Sequence, residues 1–350
     1  MPKVNQQTIA EIANISRATV SRCFTNHPGI NPETRAAVFR VAAELGYRHL
    51  EPRSGGRSRT ATKSTIGVIV CTHLVHYLRN DFQSPGIEIH NGISEYAQVH
   101  KLHIDLRYAN PADKSIEGAS YQAIQAIRRR EWGGCLLIYP FPAKVIEELR
   151  KAFPVVSLVE HYALDPVDCV DVDHFNGISS IVDHLLALGH QRIGFYTQEY
   201  EVEAGWSLRR HSAFVEKMVR LRRQVPEADV VNVFPNLFSS GKDFDHVARR
   251  IADGVTAWVC AADHQAYELI TALESRGIRV PQDVSVTGFD GVQPLGESRT
   301  LTTAVIPYRE IGYTGAKRLH DLMRRRFVSP QHILVGSKIR EAATTASPRS

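Results

Sequence analysis

Apolar residues recur at helical spacing in three short runs at the start of the chain. In TIAEIAN (8–14) Ile9, Ile12 and Ala13 share one face, with Thr8 as the expected N-cap. After Ser16, a second capping residue, RATVSRCF places Val20 and Phe24 four apart on one side. In the third run Asn31 caps, Pro32 takes the first helical position and Glu33 follows. Val38, Val41, Ala42 and Leu45 then form the stripe, and Gly46 supplies the stop. The pattern changes at Thr65 to short apolar strands alternating with amphipathic helices. The strands are expected at 66–71, 102–108, 135–139, 155–159, 192–197, 229–234, 257–260 and 284–289. A helix over 174–188 carries Ile178, Ile181, Val182 and Leu185 on one face and ends at Gly189. Strands spaced by helices predict parallel, doubly wound α/β sheets, and eight strands suit two sheets better than one.

Composition sharpens the division. The chain has 350 residues and is 43% hydrophobic, enough for two or three domains with real cores. Residues 1–63 hold ten Lys/Arg against four Glu, a net +6 in a chain whose total is +5. A basic head on a near-neutral body predicts a polyanion partner for the head alone. Cys23, Cys71, Cys135, Cys169 and Cys260 are odd in number and never spaced C-x-x-C, which argues against disulfides and a structural zinc site and fits a reducing cytoplasm. The opening MPKVNQQTIAEIAN has no apolar signal region, and no run approaches the roughly 20 apolar residues of a membrane span.

A helix, a tight turn and a second helix beginning RATVSR describe a helix-turn-helix, whose second helix enters the DNA major groove. Arg17 and Arg22 can each fork onto guanine, and Ala18 can meet a thymine methyl. Ser16, Thr19 and Ser21 can donate to phosphates, which fixes register without reading sequence. Thr8, Asn26, Asn31 and Thr34 are further candidate DNA contacts around that helix, and Arg53 and Arg57 are candidates in the linker. The competing reading is a basic three-helix domain that binds protein; the terminal position and basic linker favour DNA.

These segments carry a family resemblance. TIAEIANISRATVSRCFTNHPGINPETRAAVFRVAAELGYR resembles the DNA-binding head of the lactose-repressor (LacI/GalR) family of bacterial regulators, at Thr8 to Ala13, Ala18 to Arg22, Asn31 to Arg35 and Glu44 to Arg48. LLALGHQRIGFYT (185–197), GIRVPQDVSVTGFDG (277–291), LTTAVIPYREIGYTGAKRL (301–319) and IREAATT (339–345) are similar to family landmarks in the family's order. The resemblance implies a helix-turn-helix domain at 1–48, a linker at 49–64 and a two-lobed, periplasmic-binding-protein-like body at 65–345. The lobes are expected at about 65–160 plus 295–325 and about 161–294 plus 326–345. It also implies a homodimer, an operator site and a small effector, a carbohydrate, held between lobes.

Carried over residue by residue, Arg210 corresponds to the Arg of the family's R-x-x-G-F, written here RHSAF, with Arg209 as the alternative register. Asp290 is the first Asp of the family's GFDD, written GFDG. A carboxylate accepts vicinal hydroxyls and a guanidinium forks onto others, so both suit a polyol. Glu160 stands where the family often has Asp. Asp263, in CAAD, follows Ala262 where the family usually carries Asn, a departure that removes a polar contact and puts a familiar hexose in question. Trp206, Tyr139, Phe141 and Phe238 can stack on a sugar ring, though an aromatic beside a strand is more often core. Trp258 reads as packing.

The linker departs from the family's short helix with paired leucines. Pro52 and Gly55-Gly56 oppose a helix, so 49–60 is expected to act as a basic strap rather than a wedge. His73/His76 and His100/His103 have metal-like spacing but no nearby acid or cysteine cluster, and no cofactor or metal is expected. GISSI (177–181) lies in a helical pattern and is no nucleophile elbow. Arg324–Arg326 end a helix and complement its dipole. The sequence therefore predicts a cytoplasmic, allosteric, homodimeric DNA-binding repressor and not an enzyme. The alternatives are a carbohydrate receptor without DNA regulation and a regulator that answers a non-sugar metabolite.

Overall fold

A computed structural model describes residues 5–24, 29–45, 64–72, 85–162, 167–198, 205–231, 243–294, 297, 299–326 and 329–349. Three helices open it: α1 (Gln6–Ile12), α2 (Arg17–Phe24) and α3 (Pro32–Glu44). The first begins before the expected position. Asn5 Oδ1 accepts from the amides of Gln7 (2.8 Å) and Thr8 (3.0 Å), so Asn5 rather than Thr8 is the cap. Ser16 caps α2 as expected, its Oγ accepting from Thr19 N at 3.0 Å. Ile9, Val20, Cys23, Val38, Val41 and Ala42 are buried together, and Phe24 meets Phe39 edge to face at 5.3 Å. That apolar triangle fixes the helix-turn-helix angle. The linker, with Arg53 and Arg57, lies outside the described residues apart from Ser64.

The body contains two parallel-rich sheets. The elements of the first are β1 (Thr65–Cys71), α4 (Pro85–His100), β2 (His103–Ala109), α5 (Ala119–Gln122), α6 (Gln125–Arg128), β3 (Gly134–Ile138), α7 (Ala143–Arg150), β4 (Val155–Leu158) and β5 (Asp168–Val172). The second begins with α8 (His174–Ala187), β6 (Ile193–Tyr196), α9 (Gly205–Arg220), β7 (Val230–Val231), α10 (Phe244–Ala252) and β8 (Ala257–Cys260). It continues through α11 (Asp263–Glu274), β9 (Ser285–Asp290) and β10 (Thr302–Val305). Helix α12 (Tyr308–Met323) and strand β11 (His332–Val335) return to the first sheet, and β12 (Lys338–Arg340) closes the second. The strand orders are β11-β5-β4-β3-β1-β2 and β12-β10-β9-β8-β6-β7, with β12 antiparallel to β10. Trp258 is fully buried in β8, as expected of packing.

The two body units differ from the expected lobes in where the chain crosses. One unit includes Gly86–Asp171 and Tyr308–Ile333; the other includes Val172–Pro307 and Leu334 to the end. Strand β5 pairs with β4, so the first unit runs past 160, and β10 pairs with β9, so 301–305 stay with the second. The sequence pattern omits β5 because DCVDV alternates acids with apolar residues. Asp168 is nevertheless buried in that strand because Arg318 Nε donates to its Oδ1 at 2.6 Å and Gln331 N donates at 3.0 Å. An ion pair hides a strand from hydropathy.

Within the first unit, α4 and α12 cross with their backbones touching. A Cβ on Gly92 would overlap the carbonyl of Arg309, and one on Gly312 would overlap the carbonyl of Ile89. Backbone cannot rotate away as a side chain does, so Gly312→Ala is expected to cost about 1–3 kcal/mol or more of unfolding free energy. Urea denaturation checks this, and a cost below ~0.5 kcal/mol would mean that the crossing relaxes freely. No helix among the described residues is long and apolar enough to cross a membrane.

Candidate functional site

The head presents one polar face. On α2, Val20 and Cys23 are buried, while Arg17, Ala18 and Arg22 are exposed and Thr19 and Ser21 are partly so. At 100° per residue, 17, 18, 21 and 22 fall on a single side, opposite the core. Ser16 Oγ lies 2.9 Å from Thr19 Oγ1, so both hydroxyls are engaged in the cap. Thr8 also lies against the Asn5 cap, with its hydroxyl 3.4 Å from Asn5 Oδ1. Asn31 is exposed just before α3 and Thr34 half-buried within it; Asn26 lies outside the described residues.

In the second unit the polar candidates gather at the C-terminal end of the sheet. Of the two arginines at 209–210, Arg210 is the buried one, 4% exposed on α9. Its Nη1 donates to Asp290 Oδ1 at 3.0 Å and to the Ala261 carbonyl at 2.5 Å. Its Nε donates to His174 Nδ1 at 3.3 Å, which makes that nitrogen the lone-pair side of the ring. The guanidinium also lies over the rings of Phe289 (4.1 Å) and Trp206 (4.6 Å). A cation held by two π faces, a carboxylate and a carbonyl is fixed in direction as well as in charge. Asp290 ends β9 with φ at 142°, a left-handed conformation rare for a residue with a side chain. Such strain is concentrated at ligand sites because only the surrounding structure holds it.

Asp263 is held within the fold. It is fully buried at the start of α11, with Oδ1 accepting from Thr303 Oγ1 (2.6 Å) and Oδ2 from Val292 N (2.7 Å). Both oxygens therefore tie β10 and the segment after β9 to the helix. Burial, and after it the charge of Asp290, pushes its carboxyl up to about 7. The native state thus holds the proton more tightly than the unfolded chain, so this group's contribution falls as pH rises from about 4 to about 7. Asp263→Asn, with its amide turned toward Thr303, is expected to flatten that decline. Thermal melts from pH 5 to pH 8 check it, and parallel curves for the two proteins would remove Asp263 as the source.

The first unit supplies its own candidates. Tyr139 follows β3 and its hydroxyl accepts from Gly86 N at 2.9 Å. Glu160 follows β4 and is 2% exposed. Tyr139 and Val159 have φ of 73° and 60°, so strain marks these strand ends too. Tyr162 Oη accepts from Phe141 N at 2.7 Å, and burial together with the charge of Glu160 raises the phenol well above its ordinary range. Phe238 lies outside the described residues, as do His73 and His76. His174, Phe289 and Tyr162 escaped sequence reasoning. Only His174 left a signal: it opens the well-marked helix after Asp173, whose side chain caps α8 through Asn176 N.

Residues 7–49 match the family model of the lacI family of bacterial regulatory proteins, and residues 182–345 match that of the periplasmic binding protein-like domain. The HTH-type transcriptional repressor MelR of Bacillus subtilis (strain 168) is 26% identical over 341 residues, covering 94% of this chain and 94% of that protein. The fold is similar to that of the lac repressor dimer bound to operator and the anti-inducer ONPF. There the TM-score is 0.62 at 21% identity, over 98% of this chain and 99% of that one. It is also similar to the transcriptional regulator CelR in complex with cellobiose, with TM-score 0.63 at 19% identity over 97% and 99%. The chain thus carries a head that matches the lacI family of bacterial regulatory proteins, followed by a periplasmic binding protein-like domain, and aligns over nearly its whole length with a transcriptional repressor.

Proposed function

We propose that this protein is a cytoplasmic transcription repressor that binds an operator as a homodimer and releases or tightens it on binding a small carbohydrate. The head (1–48), linker (49–64) and effector-binding, dimerising body (65–345) divide the work. The observation that carries the reading is the α2 face: Arg17, Ala18, Ser21 and Arg22 turned outward by a helix whose other side is buried. One short helix reads few base pairs, and two-fold pairing doubles the contacts at half-sites a DNA turn apart. The protein acts by binding, so its ligands shift an equilibrium between states of different operator affinity.

Support for the effector comes from Asp290 and Arg210, an acceptor and a fork donor at a strained strand end, with Trp206 beside them as a stacking surface. That set suits vicinal hydroxyls and a sugar ring. A buried guanidinium also suits a carboxylate, so an organic acid is the second reading, and a panel of sugars and acids in calorimetry separates the two.

The DNA reading is tested on an operator selected with the purified protein. Arg22→Ala is expected to weaken it by about 1–3 kcal/mol and to relax one base position. Equal losses on operator and random DNA would reduce Arg22 to a phosphate contact. Affinity is expected to fall steeply with salt, and a flat profile would remove DNA as the partner.

A further inference from the structure

The first unit brings His332 beside two side chains, Cys169 and Asp171, that lie far from it in the sequence. Cys169 and Asp171 lie two apart on β5, so both point to one face of the strand, and both are buried. His332 opens β11, the neighbouring strand, and is exposed. Backbone bonds fix the register: Cys169 N donates to Gln331 O at 2.9 Å and Asp173 N to Val335 O at 2.9 Å. A ligand atom from each of Cys169, Asp171 and His332 lies within 4.8 Å of the other two. Among the described residues this is the one group of three metal-type ligands so placed.

We propose that Cys169, Asp171 and His332 bind a transition-metal dication of the zinc class. Bonds of about 2.0–2.3 Å from zinc to nitrogen, oxygen and sulfur put tetrahedral ligands roughly 3.3–3.8 Å apart, so the side chains need close by only about an ångström. One sulfur, one nitrogen and one oxygen donor suit zinc, cobalt or nickel and disfavour calcium or magnesium. Two of the ligands are anionic when bound, and together they neutralise the ion within a buried strand. The thiol donates to the Glu160 carbonyl at 3.2 Å, so binding replaces its S–H bond with an S–metal bond and releases one proton to solvent. The ring of His161 stacks on that of His332, with centroids 4.2 Å apart and planes 5° apart, which orients the ligand. The exposed imidazole leaves the ion an entry from solvent. The chain leaves the first unit after Asp171 and again after Ile333, so a metal here ties together the two exit strands.

Cobalt titrated into the full-length, metal-stripped protein tests this. One equivalent is expected to produce a near-ultraviolet sulfur-to-cobalt charge-transfer band, and zinc should displace it. Cys169→Ser should abolish the band. His332→Ala, a change at an exposed position that leaves the circular dichroism unaltered, should weaken binding at least about tenfold. No saturable binding, binding without the band, or a band that survives Cys169→Ser or keeps its affinity in His332→Ala overturns the proposal.

Discussion

Asp290→Ala is expected to remove the effector's influence on operator binding while leaving effector-free operator affinity near that of the unaltered protein. Asp290 lies at the end of β9, in a different unit from the head's recognition residues, and accepts from Arg210 Nη1 at 3.0 Å. A sugar that binds there exchanges water for hydrogen bonds to a carboxylate, and each such charged bond is worth about 1.5–3 kcal/mol. Its loss therefore weakens effector binding by roughly 10–150-fold. Arg210 keeps the Ala261 carbonyl and the rings of Phe289 and Trp206, which limits collapse of the site. Calorimetry on the effector and anisotropy on operator DNA give the two readouts. Unchanged effector affinity would take Asp290 out of the site, and loss of effector-free DNA binding would assign it to folding.

Asp168→Ala carries the largest expected stability effect, about 3–5 kcal/mol. The carboxylate is buried in β5, and Arg318 from α12 is buried against it. Removing the acid leaves a guanidinium in a low-dielectric interior whose remaining partner among the described residues is the Ser329 carbonyl, to which its Nη2 donates at 2.9 Å. It also removes the acceptor for Gln331 N, the residue that begins the return of the chain to the sheet. Adding Arg318→Met to Asp168→Ala should recover much of the loss, because an apolar pair no longer strands a charge. Urea unfolding followed by tryptophan fluorescence measures both. A single-mutant cost under ~1 kcal/mol would mean that water reaches the pair and screens it.

Local chemistry in the sequence was enough for the head. Ser16 before RATVSR, the Val20 position and the Val38–Val41–Ala42 stripe act within a few residues of each other, so helices, turn and outward face could be read directly. The one displaced feature, the cap at Asn5 in place of Thr8, is a choice between neighbouring residues of similar capping strength. The alternation of strands and helices was legible for the same reason: parallel strands buried on both faces read as apolar runs. Strand β5 was not, since its Asp168 is paired with Arg318, 150 positions away.

The sequence by itself determined a basic DNA-binding head, two doubly wound sheets and the residue types available at 210 and 290. It could not decide which of Arg209 and Arg210 is buried, because a helix of one register differs from the next only in what packs against it. It offered Asp263 as a ligand residue but could not show that both its oxygens accept from Thr303 and Val292. It set Cys169 aside as one of five scattered thiols, and only β11 returning beside β5 brought His332 to it. Burial, partner and pKa belong to pairs of residues distant in the chain. A site built across several strands becomes visible only when the sheet order is known.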